Sequence, residues 1–188
     1  MIEQLIKLDH EIFYAINTGL TNPFFDFLMP ILRNKTVWIP LYIIIIAYCI
    51  KVYKLKGLYL VLVFAATVGL TDFVNSNVIK KTFNRTRPCN EVAFQSQVIS
   101  RVPCGSGKSF PSSHASDHFA VAVFLITIFY KKWKAILPIG VLWAGSISFA
   151  QVYVGVHFPV DIFFGALVGS VIAYFGAKIY LKYSHFQA

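Results

Sequence analysis

Long apolar stretches alternate with short polar ones along most of the chain. A helix that crosses a bilayer needs about 20 mostly apolar residues. Five stretches meet that description: Val37–Tyr53, Gly57–Ile79, His114–Tyr130, Ala135–Gly155 and Pro159–Tyr183. A large soluble helical core is the alternative, but five such segments leave little sequence for a water-facing shell. The pattern therefore predicts an all-α integral membrane bundle of about five transmembrane helices.

The first 33 residues have a different pattern, in which apolar residues recur at helical spacing between charged ones. The apolar stripe consists of Leu5, Ile6, Ile12, Phe13 and Ile16. Such an amphipathic stripe suits a helix that lies on a membrane better than one that crosses it. Asn22 and Pro23 are typical of a helix cap and the first helical residue. We therefore expect residues 1–33 to form interfacial helices of one domain spanning residues 1–188, without a cleavable signal peptide.

Composition agrees with a membrane setting. Hydrophobic residues make up 57% of the chain and charged residues only 13%, whereas soluble domains carry about 25% charged residues. The formal charge of +9 could indicate nucleic-acid binding. However, so apolar a chain has no extended, solvated basic face. We expect the lipid bilayer as a partner and no nucleic acid.

The distribution of lysines predicts the orientation. Three lysine clusters, at 51–56, 131–134 and 178–182, fall on one face of a five-span bundle. Short positively charged loops favour the cytoplasm. We therefore expect the opposite face, with the loop 80–111, to be external, on the periplasmic or outer side of a bacterial inner membrane. This loop is itself basic, so its charges require another explanation.

The same topology brings polar residues from four separate stretches to the external face. They lie where the even spans end and the odd spans begin: Lys80 with Arg87, residues 110–118, Gln151 with His157, and Asp161. Ionisable groups at this depth are energetically costly and indicate a functional site.

Four of these residues suit an anion. Lys80 and Arg87 are cations, and an arginine can bind two phosphate oxygens at once. Ser112 and Ser113 lie at a helix start, where free backbone N–H groups and the helix dipole also favour negative charge. Together they predict a phosphate-binding site.

Two histidines and a carboxylate supply the remaining chemistry. His157 and Asp161 are four residues apart, hence about one helical turn. The carboxylate can hold one imidazole nitrogen and leave the other free to attack or to accept a proton. His114 is a second imidazole that can serve as the acid. With the cations, these residues are the parts needed to transfer a phosphoryl group from an ester to water.

Three short motifs resemble those of the type 2 phosphatidic acid phosphatase (PAP2) family, which is related in fold to vanadium haloperoxidases. Lys-x6-Arg-Pro is intact from Lys80 to Arg87-Pro88. Pro-Ser-Gly-His reads Pro111-Ser112-Ser113-His114, and Ser-Arg-x5-His-x3-Asp reads Ala150-Gln151 followed by His157 and Asp161. Each motif alone is weak, but three in order at membrane boundaries are specific. The resemblance extends over residues 57–183.

The resemblance implies a membrane lipid phosphatase that works through a phosphohistidine. His157 would be the nucleophile, Asp161 would orient it, and His114 would protonate the leaving oxygen. The phosphate would be held by Lys80, Arg87, Ser112, Ser113 and the residue at position 151. The family uses no metal and no cofactor. The resemblance allows four candidate substrates: undecaprenyl pyrophosphate, phosphatidylglycerol phosphate, phosphatidic acid and lipid A phosphate.

Gln151 departs from the family pattern, because it stands where the third motif has an arginine. A neutral hydrogen bond is about half as strong as a charge-assisted one, so one phosphate contact is weakened. If the pocket merely tolerates glutamine, Gln151→Arg would raise turnover. We expect an active enzyme. The alternative is a non-catalytic membrane protein that binds lipid phosphate.

A metal site is a hypothesis of a different class. His114 and His118 are four residues apart, as are His157 and Asp161, and two such pairs could bind a metal ion. The nearby cations would repel such an ion, so this hypothesis is disfavoured. For His118 we expect only packing between helices.

The external loop contains four further residues of interest. Cys89 and Cys104 could form a disulfide if the loop faces an oxidising compartment, and two free thiols are the alternative. Lys81 and Arg85 lie outside the first motif, and simple contact with lipid headgroups is enough to explain either of them.

Overall fold

The computed structural model describes residues 2–92 and 96–184, and over these residues it contains helices and loops but no β-strand. Part of the loop 80–111, residues 93–95, therefore lies outside the described residues. The α-helices, in chain order, are α1 (Ile2–Asn17), α2 (Pro23–Leu32), α3 (Ile39–Phe73), α4 (Lys80–Thr82), α5 (Ser113–Phe129), α6 (Ile136–Tyr153) and α7 (Pro159–Ser184). The predicted all-α class is confirmed.

Helix α3 is two helices joined by a sharp reversal. Lys54 has φ 53° and ψ −126°, so helical geometry is interrupted there. A Cβ atom on Gly57 would lie 2.0 Å from the carbonyl oxygen of Cys49. Residues eight positions apart approach this closely only if the chain turns back on itself, and only glycine permits the approach. The first two predicted spans therefore form a hairpin.

The helices are apolar enough for a membrane. Three helical stretches have the length and composition to cross a bilayer, namely Lys35–Thr82, Ile136–Tyr153 and Pro159–Ser184, and α2 and α5 are shorter apolar helices. Many large apolar side chains on these helices are exposed on the protein surface, which suits contact with lipid. The chain is an integral membrane protein, and the number of spans stays a prediction.

Helices α5 and α7 pack closely at the centre of the bundle. A Cβ atom on Gly165 would lie 2.4 Å from the carbonyl oxygen of Ser112, and one on Gly169 would lie 2.0 Å from that of Ser116. Small residues spaced by four let two helix backbones approach in this way. The backbone amide of Ser112 also donates to the carbonyl of Asp161 (2.9 Å). This contact brings the N-termini of α5 and α7 together.

The three lysine clusters meet at the other end of the bundle. The Lys132 ammonium donates to the Tyr53 hydroxyl (3.2 Å), and the Tyr180 hydroxyl donates to the carbonyl of Lys56 (2.9 Å). Residues near 53–56, 132 and 180 are therefore neighbours, as the predicted five-span topology requires.

Helix α1 is amphipathic, with one face on the protein. Phe13 is almost fully buried against Val152 and Phe158, whereas Leu5, Ile6 and Ile12 are exposed. The exposed part of the predicted stripe is available to lipid.

Arg101 fixes the two N-terminal helices to the end of α6. Its guanidinium donates to the carbonyls of Asn17 (2.9 Å) and Tyr153 (2.8 Å), and it forms an ion pair with Asp26 of α2. The Asn17 amide also donates to the Tyr153 carbonyl (2.8 Å). Residues 2–33 are thus attached to the bundle beside the loop that contains His157.

Candidate active site

Asp161 lies at the start of α7, where four groups surround its carboxylate. The backbone amide of Phe158 donates to Oδ2 (2.8 Å), and the Ser109 hydroxyl donates to the same oxygen. The Nδ1 atom of His157 lies 3.5 Å from Oδ2. Arg85 donates to Oδ1 (2.9 Å). The carboxylate is fully buried, so these partners compensate for its lost hydration.

His157 presents its second nitrogen to Arg87. Nη1 of Arg87 lies 3.2 Å from Nε2 of His157. Because a guanidinium only donates hydrogen bonds, Nε2 is the acceptor, and the ring proton is assigned to Nδ1 on the side of Asp161. Burial lowers the pKa of His157 to about 4. The imidazole is therefore neutral at physiological pH, and Nε2 has a free electron pair.

Backbone carbonyls of two loops hold Arg87 in place. Nε of Arg87 donates to the carbonyl of Gly107 (2.8 Å), and Nη1 of Arg87 donates to the carbonyl of Val156 (3.2 Å). Cys89 and Cys104 are joined in the structure, with their Cα atoms 6.0 Å apart. This bond ties the segment after Arg87 to the segment that contains Gly107.

Lys80 lies beside the N-terminus of α5. Its ammonium donates to the Ser113 hydroxyl (3.0 Å), which also accepts from the Asn75 amide (2.9 Å). The Ser112 hydroxyl instead accepts from the Ala115 amide (3.4 Å) and caps the helix. Of the two serines expected to bind phosphate, Ser113 directs its hydroxyl to the motif lysine, and Ser112 uses its own to start α5.

His114 is in the first turn of α5. Lys35, Arg33 and His157 all interact with it electrostatically, so it faces the same charged region as the nucleophile candidate. Its ring stacks against His118 with centroids 6.4 Å apart, and its backbone carbonyl lies 2.8 Å from Nδ1 of His118. His118 is buried between helices and also contacts Trp143.

Arg85 is part of the site, and its assignment to lipid headgroups is wrong. Its guanidinium connects two buried carboxylates, Asp9 of α1 and Asp161 of α7. It also lies over the Phe158 ring, 4.1 Å from the centroid. Asp9 in turn accepts from the backbone amide of Val160 (2.8 Å). The sequence interpretation missed Asp9, which places the N-terminal helix in direct contact with the site.

Gln151 is fully buried, and its side-chain oxygen accepts from Nε of Arg33 (3.3 Å). Its backbone carbonyl accepts from the amide of His157 (3.3 Å). Arg33 follows α2 directly and was not identified from the sequence. The guanidinium of Arg33 therefore lies next to position 151, where this chain has glutamine instead of the arginine of the third motif.

The two His pairs of the metal hypothesis do not form a ligand cluster. Among residues 2–92 and 96–184, no group of three or more His, Cys, Asp or Glu side chains is arranged to hold a metal ion.

Known proteins are similar to this chain over most of its length. The chain is 32% identical to the lipid A 4'-phosphatase of Bacteroides thetaiotaomicron over 98% of its length and 80% of the relative's. It is 32% identical to the undecaprenyl-diphosphatase of Sulfolobus acidocaldarius, covering 94% of this chain and 81% of the relative. The crystal structure of Aquifex aeolicus LpxE superposes with a TM-score of 0.68 at 28% identity, covering 94% of this chain and 96% of that one.

The model of the PAP2 superfamily matches residues 56–184, which contain Lys80, Arg87, His114, His157 and Asp161. This match covers more than half of the chain, and the relatives extend it over nearly the whole length. The chain belongs to the PAP2 superfamily.

Proposed function

We propose that the protein is a lipid phosphatase that hydrolyses a phosphomonoester or pyrophosphate headgroup through a phosphohistidine. The placement of His157 carries the proposal. Its Nδ1 faces Asp161 and its Nε2 faces Arg87, so the free electron pair points to a cation that would bind phosphate. An imidazole oriented by a carboxylate beside an anion site is the arrangement that nucleophilic catalysis needs.

In the first step, Nε2 of His157 attacks phosphorus and forms the N–P bond as the P–O bond to the lipid breaks. Positive charge develops on the imidazole, and Asp161 stabilises it through Nδ1–H. The leaving oxygen takes its proton from His114. Arg87 and Lys80 hold the non-bridging oxygens, whose negative charge they neutralise in the transition state.

In the second step, water attacks the phosphorus of the phosphohistidine. His114, now neutral, accepts the proton of the water, and the N–P bond breaks. Inorganic phosphate leaves, Nε2 regains its electron pair, and His114 is again protonated. The residues named here complete the cycle without a metal or cofactor. Metal independence is therefore part of the proposal.

The named activities of the relatives suggest the substrate class, a phosphate or diphosphate on a membrane lipid. Phosphate release by purified protein over a panel of lipid A, undecaprenyl pyrophosphate, phosphatidylglycerol phosphate and phosphatidic acid tests the function. We expect turnover of at least one of these lipids, unchanged in EDTA. Loss on chelation with recovery by one divalent ion would contradict metal independence. Phosphate binding without turnover would identify the non-catalytic alternative.

His114→Ala should slow hydrolysis according to the leaving group. General acid catalysis contributes about 10²–10⁴-fold where the leaving oxygen needs a proton. An aryl phosphate needs little protonation and should be much less affected than an alkyl lipid phosphate. The ratio of kcat/KM for the two substrates, in the wild type and in the variant, measures this. Equal losses on both substrates would exclude the acid role.

We also propose that the active site opens to the periplasm or cell exterior. The lysine clusters lie together at the end of the bundle away from His157, and short basic loops favour the cytoplasm. In a Cys49→Ala background, Lys108→Cys should react with an impermeant thiol reagent in intact cells. Lys131→Cys should react only after lysis. The reverse pattern would place the substrate in the cytoplasmic leaflet.

A further inference from the structure

Arg33 and Gln151 come from opposite parts of the chain and meet beside the active site. Nε of Arg33 donates to Oε1 of Gln151 (3.3 Å), across 118 residues of sequence. Since arginine has only donors, the amide atom that faces it must be the oxygen. The amide nitrogen of Gln151 is therefore directed elsewhere. It is buried and has no hydrogen-bond partner within the described chain.

The electrostatics of Arg33 also place it near the site. Burial, followed by repulsion from Arg87, lowers the pKa of Arg33, so the two guanidiniums are close enough to repel each other. Arg33 also interacts electrostatically with His114. Among the residues that the structure describes, neither Nη atom of Arg33 has a partner. Two partly buried cations that repel each other are costly, and an anion between them removes the repulsion.

We propose that Arg33 is the third phosphate-binding cation of the site, doing from the N-terminal segment what the motif arginine would do from position 151. The proposal rests on the proposed function. Nε of Arg33 is held by Gln151, and its Nη groups bind a non-bridging oxygen of the lipid phosphate. The free amide N–H₂ of Gln151 donates to the same phosphate. Arg33 is then a binding residue, and Gln151 both binds phosphate and positions Arg33.

This arrangement explains why position 151 is glutamine and changes one expectation from the sequence. A neutral acceptor at 151 holds the incoming guanidinium, whereas an arginine there would repel it. In the wild-type background Gln151→Arg should therefore lower turnover. In an Arg33→Ala background the same substitution restores a missing cation and should raise it.

The experiment is a double-mutant cycle on kcat/KM for the lipid hydrolysed best. We expect Arg33→Ala to lose about 10²-fold, the scale for one donor to a transition-state anion, and Arg33→Lys to lose less. In the wild-type background, Gln151→Arg should lower kcat/KM. In the Arg33→Ala background, the same substitution should raise kcat/KM at least about tenfold, which corresponds to a coupling of roughly 1.4 kcal/mol or more. Lys81→Ala, an exposed cation near Lys80, is the matched control and should be unchanged. Equal effects of Gln151→Arg in both backgrounds would overturn the proposal.

A second measurement needs no turnover and separates this proposal from the proposed function. Inorganic phosphate that binds the folded protein raises its thermal unfolding midpoint in detergent. The midpoint shift should be clearly smaller in Arg33→Ala and Arg33→Lys than in wild type and Lys81→Ala. If wild type hydrolyses no lipid but shows this pattern, the function fails and the binding role of Arg33 stands. Active wild type with equal shifts in all four proteins would show that Arg33 does not bind phosphate.

Discussion

Replacing His157 with alanine is expected to abolish hydrolysis. In the proposed mechanism the imidazole supplies the electron pair that forms the bond to phosphorus, and its ring contacts both Asp161 and Arg87. Loss of a catalytic nucleophile costs about 10⁴-fold or more in kcat elsewhere. Denaturing the reaction with ³²P-labelled lipid at alkaline pH, where a phosphohistidine is stable, should trap labelled protein for the wild type and none for His157→Ala.

His10→Gln is the matched control for the nucleophile. His10 belongs to α1, and its ring contacts Phe158 with centroids 5.0 Å apart, so it is a histidine near His157 that the proposed mechanism does not use. This variant should keep both turnover and the trapped phosphoenzyme. Full activity in His157→Ala would exclude the covalent mechanism, even if the chain is a phosphatase by another route.

Arg85→Ala is expected to destabilise the protein and to inactivate it. The substitution leaves Asp9 and Asp161 buried and unpaired. Removing one partner of a buried ion pair costs about 3–5 kcal/mol, and we expect the low end because a quarter of the Arg85 side chain is exposed. The unfolding midpoint in detergent and the rate of phosphate release should both fall.

A second substitution, Asp9→Asn, should change the unfolding midpoint in opposite directions in the wild-type and Arg85→Ala backgrounds. Asp9→Asn alone should be destabilising, since it removes the charge that Arg85 and the Val160 amide bind. Combined with Arg85→Ala, it removes one of two unpaired carboxylates, so the double variant should unfold at a higher temperature than Arg85→Ala. Lys81→Ala should leave the midpoint unchanged. A double variant that is less stable than Arg85→Ala would show that Asp9 contributes to stability without Arg85.

The sequence predicted the parts of the fold that depend on local pattern. Apolar length marked the helices, and the order of the spans showed which polar residues would share one face. The motif spacing then predicted Lys80, Arg87, His114, His157 and Asp161 as site residues. Each of these inferences needs only residues within a few turns of one another, plus the rule that alternate helix ends lie on the same side.

The residues that the sequence interpretation missed act across much longer separations. Asp9 is one of the charged residues between the apolar positions of α1, but it lies four residues from both Leu5 and Phe13, at helical spacing within the stripe. A carboxylate inside an apolar stripe was the available signal, because burial requires a cation as partner. The sequence around Arg33 has no such signal, because its contact with Gln151 depends on how α2 packs against α6.

The contact between Asp9 and Val160 spans 151 positions, which sets the time at which the site can form. A ribosome adds about 5–20 residues per second, so α1 exists for roughly 8–30 s before the amide that Asp9 accepts from has been synthesised. Asp161, on which the orientation of His157 depends, is among the later residues to emerge. In the proposed mechanism, a chain under synthesis therefore cannot hydrolyse the lipids around it before α7 has been added.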